Sequence, residues 1–216
     1  SELYRVAKDK IFAVPNGIDA ESARFLSEEE RKKIKESLGL SKHHTILFSG
    51  SWHHPNLEAM DFIVNQLASR NKAWTFMILG EVSDYFFHQH PMAKLPSNTL
   101  AFGYVSEEEK AELYGSADVA INPVSSGSGT NIKMLDYMAA GIPVVSTPTG
   151  ARGLKVRNGE HVVICNLEDF HEEIAQLLLD SSRRERLRQN ARDLVLRSYD
   201  WNVIIPTLSR ILSRTG

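Results

Sequence analysis

The stretch Val119-Ala120-Ile121-Asn122-Pro123-Val124-Ser125-Ser126-Gly127-Ser128-Gly129-Thr130-Asn131-Ile132-Lys133-Met134-Leu135-Asp136-Tyr137-Met138-Ala139-Ala140-Gly141-Ile142-Pro143-Val144-Val145-Ser146 holds a whole structural unit. A short apolar run (119–122) leads into a serine- and glycine-rich turn, and helical spacing follows over 131–140. Gly141 and Pro143 then stop the helix before a second apolar run at 143–146. Strand, helix and strand in this order predict a crossover unit, whose two strands must be parallel.

The same alternation extends in both directions. Apolar or β-branched runs at 11–14, 45–49, 75–79, 99–102 and 161–164 read as further strands. Helical periods cover 27–38, 56–69, 106–115, 167–179, 182–197 and 201–212. Ile46-Leu47-Phe48 is continuously apolar rather than alternating, the mark of a strand buried on both faces. Ser27 with Glu30, and Ser106 with Glu109, have capping-box spacing at two helix starts. The fold class is therefore α/β, a Rossmann-like doubly wound parallel sheet flanked by helices. With 216 residues, no internal repeat and no low-complexity linker, residues 1–216 read as a single domain.

Composition narrows the function. A hydrophobic fraction of 42% and a charged fraction of 24% suit a globular domain. The net charge of −2 argues against a nucleic-acid partner. The lone Cys165 excludes an intrachain disulfide, suits a reducing, cytoplasmic setting and reads as a buried thiol. No apolar run is long enough to span a membrane. Ser1-Glu2-Leu3-Tyr4-Arg5 is mixed and polar, unlike a signal peptide, and the absent initial methionine reads as a processed or partial chain. His53-His54 and His88-Gln89-His90 have no partners at metal-ligand spacing, so no metal is expected.

Ligands of such sheets bind beyond the carboxyl ends of the strands, which directs attention to the turns after Phe48, Leu79, Phe102, Ile121 and Val145. In the turn after Ile121, Gly127 and Gly129 permit positive φ and close backbone approach. The helix beginning near Thr130 would direct its free N–H groups and dipole into that turn. Periodicity puts Ile132, Leu135, Met138 and Ala139 toward the core, and Lys133, Asp136, Tyr137 and Ala140 on another face. A cation in a first helical turn opposes the dipole, and an anionic ligand would account for it. Taken alone, the turn leaves two readings open, an anion site or a flexible loop with a surface lysine.

The run from Gly129 to Thr147 closely resembles the signature of family 4 glycosyltransferases of the GT-B fold. Val14-Pro15-Asn16-Gly17-Ile18-Asp19 resembles the opening of that family's C-terminal domain. Gly103-Tyr104-Val105 resembles the turn that meets the nucleotide base, and Gly150-Ala151-Arg152-Gly153 with Asn158-Gly159-Glu160 resembles the segment after the signature. The likeness covers nearly the whole chain in matching order. It implies a retaining, metal-independent transfer of a sugar from a nucleotide diphosphate to a saccharide or lipid-linked acceptor, as in polysaccharide biosynthesis. This chain would be the donor-binding half, without the N-terminal acceptor domain, its ends (about 1–20 and 200–216) resembling the segments that cross to that domain.

The resemblance also implies roles. Lys133 would stabilise the leaving diphosphate as the catalytic cation, with Gly50, Ser51, His53, Ser128, Gly129, Thr130 and Asn131 around the donor. Asp136 would hold the ribose, and Tyr104 and Val105 would flank the base. Two departures stand out. The family's paired glutamates are replaced by Ser128 and Asp136, which bears on sugar specificity, and Ser49-Gly50-Ser51-Trp52-His53-His54-Pro55-Asn56 lacks the family's Arg and Lys, leaving Lys133 with Asn131 and His53 or His54 to meet the diphosphate. Membrane contact, at the inner face, would come only through the full-length enzyme. Two competing functions share these features: an epimerase acting on a sugar nucleotide, and a non-catalytic nucleotide-binding module.

Overall fold

A computed structural model describes residues 10–89 and 94–215. Six parallel strands form one sheet: β1 (His44–Ser49), β2 (Trp74–Leu79), β3 (Thr99–Gly103), β4 (Val119–Asn122), β5 (Val144–Ser146) and β6 (Val163–Ile164). Their spatial order is β3-β2-β1-β4-β5-β6, so the winding direction reverses between β1 and β4. That reversal opens a crevice beyond Ser49 and Asn122, the place where doubly wound sheets bind ligands.

The described residues form eight α-helices: α1 (Glu28–Ser37), α2 (His54–Phe62), α3 (Glu81–Gln89), α4 (Glu107–Ser116), α5 (Ile132–Ala139), α6 (Phe170–Leu179), α7 (Ser181–Ser198) and α8 (Trp201–Thr215). Both capping boxes form as the sequence predicts, Ser27 with Glu30 and Ser106 with Glu109. Ile46 and Phe48 pack with α2 and α6 on one face of the sheet, while Leu47, Met77 and Ala120 pack with α4, α5 and α7 on the other. Two cores on opposite faces are what the continuously apolar strands foretold.

The predicted strand at 11–14 is absent: Ile11 is 49% exposed, and the first pairing is the isolated bridge between Ile18 and Asp200. β-propensity makes a strand only where a neighbour supplies the ladder, and this segment has none. The helix expected over 56–69 starts at His54, with Pro55 in its first turn, and continues as a π-helical stretch over Ile63–Ala68. Helix α3 was not predicted, since its aromatic-rich sequence carries no start signal of its own. The basic segment Arg183-Arg184-Glu185-Arg186 is tied to its neighbours. Arg183 pairs with Glu173 at 3.2 Å, Arg184 donates to the carbonyls of Leu177 and Leu178, and Glu185 pairs with the buried Arg188 at 2.8 Å. The signal-peptide reading at Ser1-Glu2-Leu3-Tyr4-Arg5, residues 1–9 of the crossover segment at 1–20 and His90 of the second histidine cluster lie outside the described residues.

Candidate donor site at the sheet crevice

The floor of the crevice is built by short backbone links between successive strand ends. Gly50 N–H donates to Leu79 O at 2.9 Å, Gly80 N–H to Gly103 O at 2.6 Å, and Val82 N–H to Gly50 O at 3.1 Å. Gly80 is required there: its φ is +94°, and a Cβ would lie 2.4 Å from Gly50 O. Tyr137 locks α5 to the end of β1, its Oη accepting from Ser49 N–H at 2.7 Å and lying 2.9 Å from Ser49 Oγ. Burial pushes the Tyr137 phenol well above its usual range, so it remains a neutral hydroxyl.

Above this floor lies a cavity of about 730 Å³. Gly50, Ser51, His53, Tyr104, Val105, Thr130, Asn131, Lys133 and Asp136 all line it, so most of the sequence-predicted donor contacts converge. Ser128 and Gly129 do not. They line an adjoining cavity of about 600 Å³, on the other side of the Thr130-Asn131 wall that both cavities share.

Helix α5 begins at Ile132 rather than near Thr130, with Asn131 at its N-cap making no side-chain cap bond. Its first turn thus meets the cavity with unsatisfied amides and the positive end of its dipole. Two face assignments are corrected. Ile132, expected in the core, is 44% exposed and lines the cavity, while Tyr137 is buried. At the first turn the helix overhangs the end of the sheet, so no core lies beneath Ile132. Of the two turn glycines, Gly127 has φ +97°, but Gly129 does not use the left-handed region.

The turn before α5 is tied down from behind. Arg152 donates to Gly127 O at 2.7 Å, Thr147 Oγ1 donates to Val124 O, and Gly150 N–H donates to Thr147 Oγ1 at 2.8 Å. Ser126 Oγ donates to Glu58, whose other oxygen lies 3.4 Å from His54 Nδ1. The turn after Val145 therefore serves the site as an anchor rather than as a wall. An unattached serine-glycine loop is excluded.

Lys133 is the main charge. Its Nζ donates to Asn56 Oδ1 at 2.6 Å and sits 4.3 Å from the centre of the Phe48 ring. Among the described residues no carboxylate lies within ion-pair distance of it. Burial without a counter-charge pushes its ammonium down to about 7. Asn56 also donates to Ser51 O at 3.0 Å. The β1–α2 turn, which has no cation of its own, thus receives one from α5.

Asp136 lies one helical turn from Lys133, and burial raises its carboxyl. Sequence reasoning missed Asn56, Glu81, Glu107, Lys110 and Tyr114, which also line the cavity. The turns after Leu79 and Phe102 led to Glu81 and to the start of α4, but no local pattern singled out these side chains. Lys110 contributes a second cation, paired with Glu107 at 3.2 Å. Cys165 is half-buried away from the site, and burial pushes its thiol up to about 12, consistent with a structural role. Among the described residues no three His, Cys, Asp or Glu side chains converge as a metal-ligand set, and no helix is long and apolar enough to cross a membrane.

A family model described as Glycosyl transferases group 1 matches residues 43–180. An uncharacterized 44.6 kDa protein in the cps region of Klebsiella pneumoniae is 33% identical over 201 residues, covering 82% of this chain and 52% of that protein. The phosphatidyl-myo-inositol mannosyltransferase of Mycobacterium tuberculosis is 26% identical over 214 residues, covering 92% of this chain and 52% of that enzyme. The chain spans about half the length of these curated relatives. Among solved structures, Anabaena HepE in complex with UDP-glucose superposes with a TM-score of 0.77 at 18% identity, covering 93% of this chain and 57% of that one. This last likeness establishes the fold alone.

Proposed function

The chain belongs to the glycosyl transferases group 1 family, and on that premise we propose that it is the nucleotide-diphosphate-sugar-binding half of a retaining glycosyltransferase. The observation that carries this reading is Lys133, a cation placed at the sheet crevice with an amide and an aromatic ring as neighbours and, among the described residues, no carboxylate within ion-pair distance. A half-buried ammonium held this way costs stability, and a bound diphosphate would offset that cost. The α5 first turn and the backbone N–H groups of Gly129, Thr130 and Asn131 would add hydrogen bonds to the same phosphates.

In the proposed reaction the sugar leaves the diphosphate for a hydroxyl of a saccharide or lipid-linked acceptor. Charge grows on the departing diphosphate, and Lys133 stabilises it where it develops. Asp136 would accept hydrogen bonds from the ribose, and Tyr104 and Val105 would flank the base. The chemistry calls for no metal, since the lysine and the helix terminus supply the positive field. The acceptor would be held by an N-terminal domain facing this one, with residues near 20 and α8 beside the junction. The isolated chain should therefore bind donor yet turn over little. The enzyme would act in the cytoplasm, reaching the inner membrane face through its full-length form. The mannosyltransferase relative and the UDP-glucose complex of the Anabaena neighbour support a sugar nucleotide as ligand.

Titration calorimetry with UDP, GDP and ADP tests the proposal. At least one should bind, and Lys133→Ala should weaken it by roughly tenfold or more, the value of a charge-assisted hydrogen bond. A folded sample that binds none of the three overturns the reading.

A further inference from the structure

The adjoining cavity of about 600 Å³ has a lining that the diphosphate does not explain. It shares His53, Asn56, Thr130 and Asn131 with the main crevice and lies directly beside it. Its remaining lining is Trp52, His54, Pro55, Val124 and the Ser126–Gly129 loop. None of its lining side chains is Asp, Glu, Lys or Arg. Trp52 is 53% exposed, an unusual place for so large an apolar surface on the wall of a cleft.

The indole is also braced. The His53 ring lies 4.7 Å from it at an interplanar angle of 35°, and the Tyr85 ring lies 6.3 Å away at 47°. The Ser126–Gly129 loop is fixed by Glu58 through Ser126 and by Arg152 through Gly127. A held aromatic plane and a held loop of hydroxyls and backbone amides, lining one cavity whose only ionisable side chains are His53 and His54, match one chemical shape. A neutral pyranose has an apolar C–H face to lay on an aromatic ring and a rim of hydroxyls for polar partners.

We propose that Trp52 is a specificity-determining residue, its indole stacking on a neutral pyranosyl group that extends from the diphosphate into this second cavity. The inference rests on the donor-site reading of the main crevice. It assigns sugar recognition to a residue in the β1–α2 turn, where Ser128 contributes no charge.

The test compares wild type with Trp52→Ala and Trp52→Phe by calorimetry, using UDP against UDP-glucose, GDP against GDP-mannose and ADP against ADP-glucose. In whichever pair binds, Trp52→Ala should raise the Kd of the sugar nucleotide about fivefold, within the range of an aromatic contact, while changing the free diphosphate less than twofold. Trp52→Phe, which keeps a ring face, should recover most of the loss. Equal changes for diphosphate and sugar nucleotide, or none for either, overturn the role of Trp52 and leave the donor site standing. Binding of none of the three diphosphates overturns the donor-site reading and this inference with it.

Discussion

Replacing Lys133 with methionine should stabilise the ligand-free protein in acid and lose that advantage as the pH rises. Burial holds the folded pKa of Lys133 near 7, whereas an unfolded lysine titrates near 10.4. Between those values the unfolded chain binds the extra proton, so this residue's contribution to stability rises with pH. Below about pH 7 the lysine is charged in both states, and the folded state bears the full desolvation cost. A gap of roughly three pH units at ~1.4 kcal/mol each sets an upper bound of ~4–5 kcal/mol. Partial exposure and the Asn56 hydrogen bond reduce this to ~2–3 kcal/mol. Methionine keeps the unbranched shape over Phe48 and removes the charge. Urea unfolding at pH 6, 7.5 and 9 is the assay. The midpoint of Lys133→Met should exceed wild type most at pH 6, and the gap should shrink steadily toward pH 9. Parallel curves, or a variant weaker than wild type at pH 6, would refute the argument that Lys133 is a destabilised cation awaiting an anion.

Three further outcomes follow from the packing. Tyr137→Phe removes the acceptor of Ser49 N–H and should cost ~1–3 kcal/mol in urea unfolding, the range for a donor left unpaired. Gly150→Ala places a Cβ 2.5 Å from Ser146 Oγ and 2.6 Å from Asn122 Nδ2. It should destabilise by ~1–3 kcal/mol and loosen the 125–131 turn, read as faster amide exchange there. Cys165, with a thiol pushed up to about 12, should react slowly with iodoacetamide at pH 8, and its rate should climb about tenfold per pH unit while the fold persists.

Local physics explains what was readable from the chain alone. Short continuous apolar runs such as Ile46-Leu47-Phe48, alternating with helical periods, fit strands buried on both faces, so the parallel sheet and its two helical layers were legible. Capping boxes at Ser27 and Ser106 depend on residues three apart and formed as read. The glycine-rich turn before Lys133, and its place at the sheet's carboxyl edge, also followed from sequence order.

Contacts between distant segments depended on the tertiary structure. Lys133 meets Asn56 across 77 positions, a pairing made by the adjacency of β1 and β4 and invisible to any local pattern. Helical period sorted the faces of α5 correctly for Lys133 and Asp136. It failed for Ile132 and Tyr137, because only the overhang of the first turn and the end of β1 decide which side chain finds a core. Ser128 and Gly129 read as part of one site with Thr130, yet they line only a second cavity, with Trp52, while Thr130 lines both. Sequence encodes what neighbouring residues prefer. The strand order and the tilt of each helix decide which preferences meet, and the site exists only at that meeting.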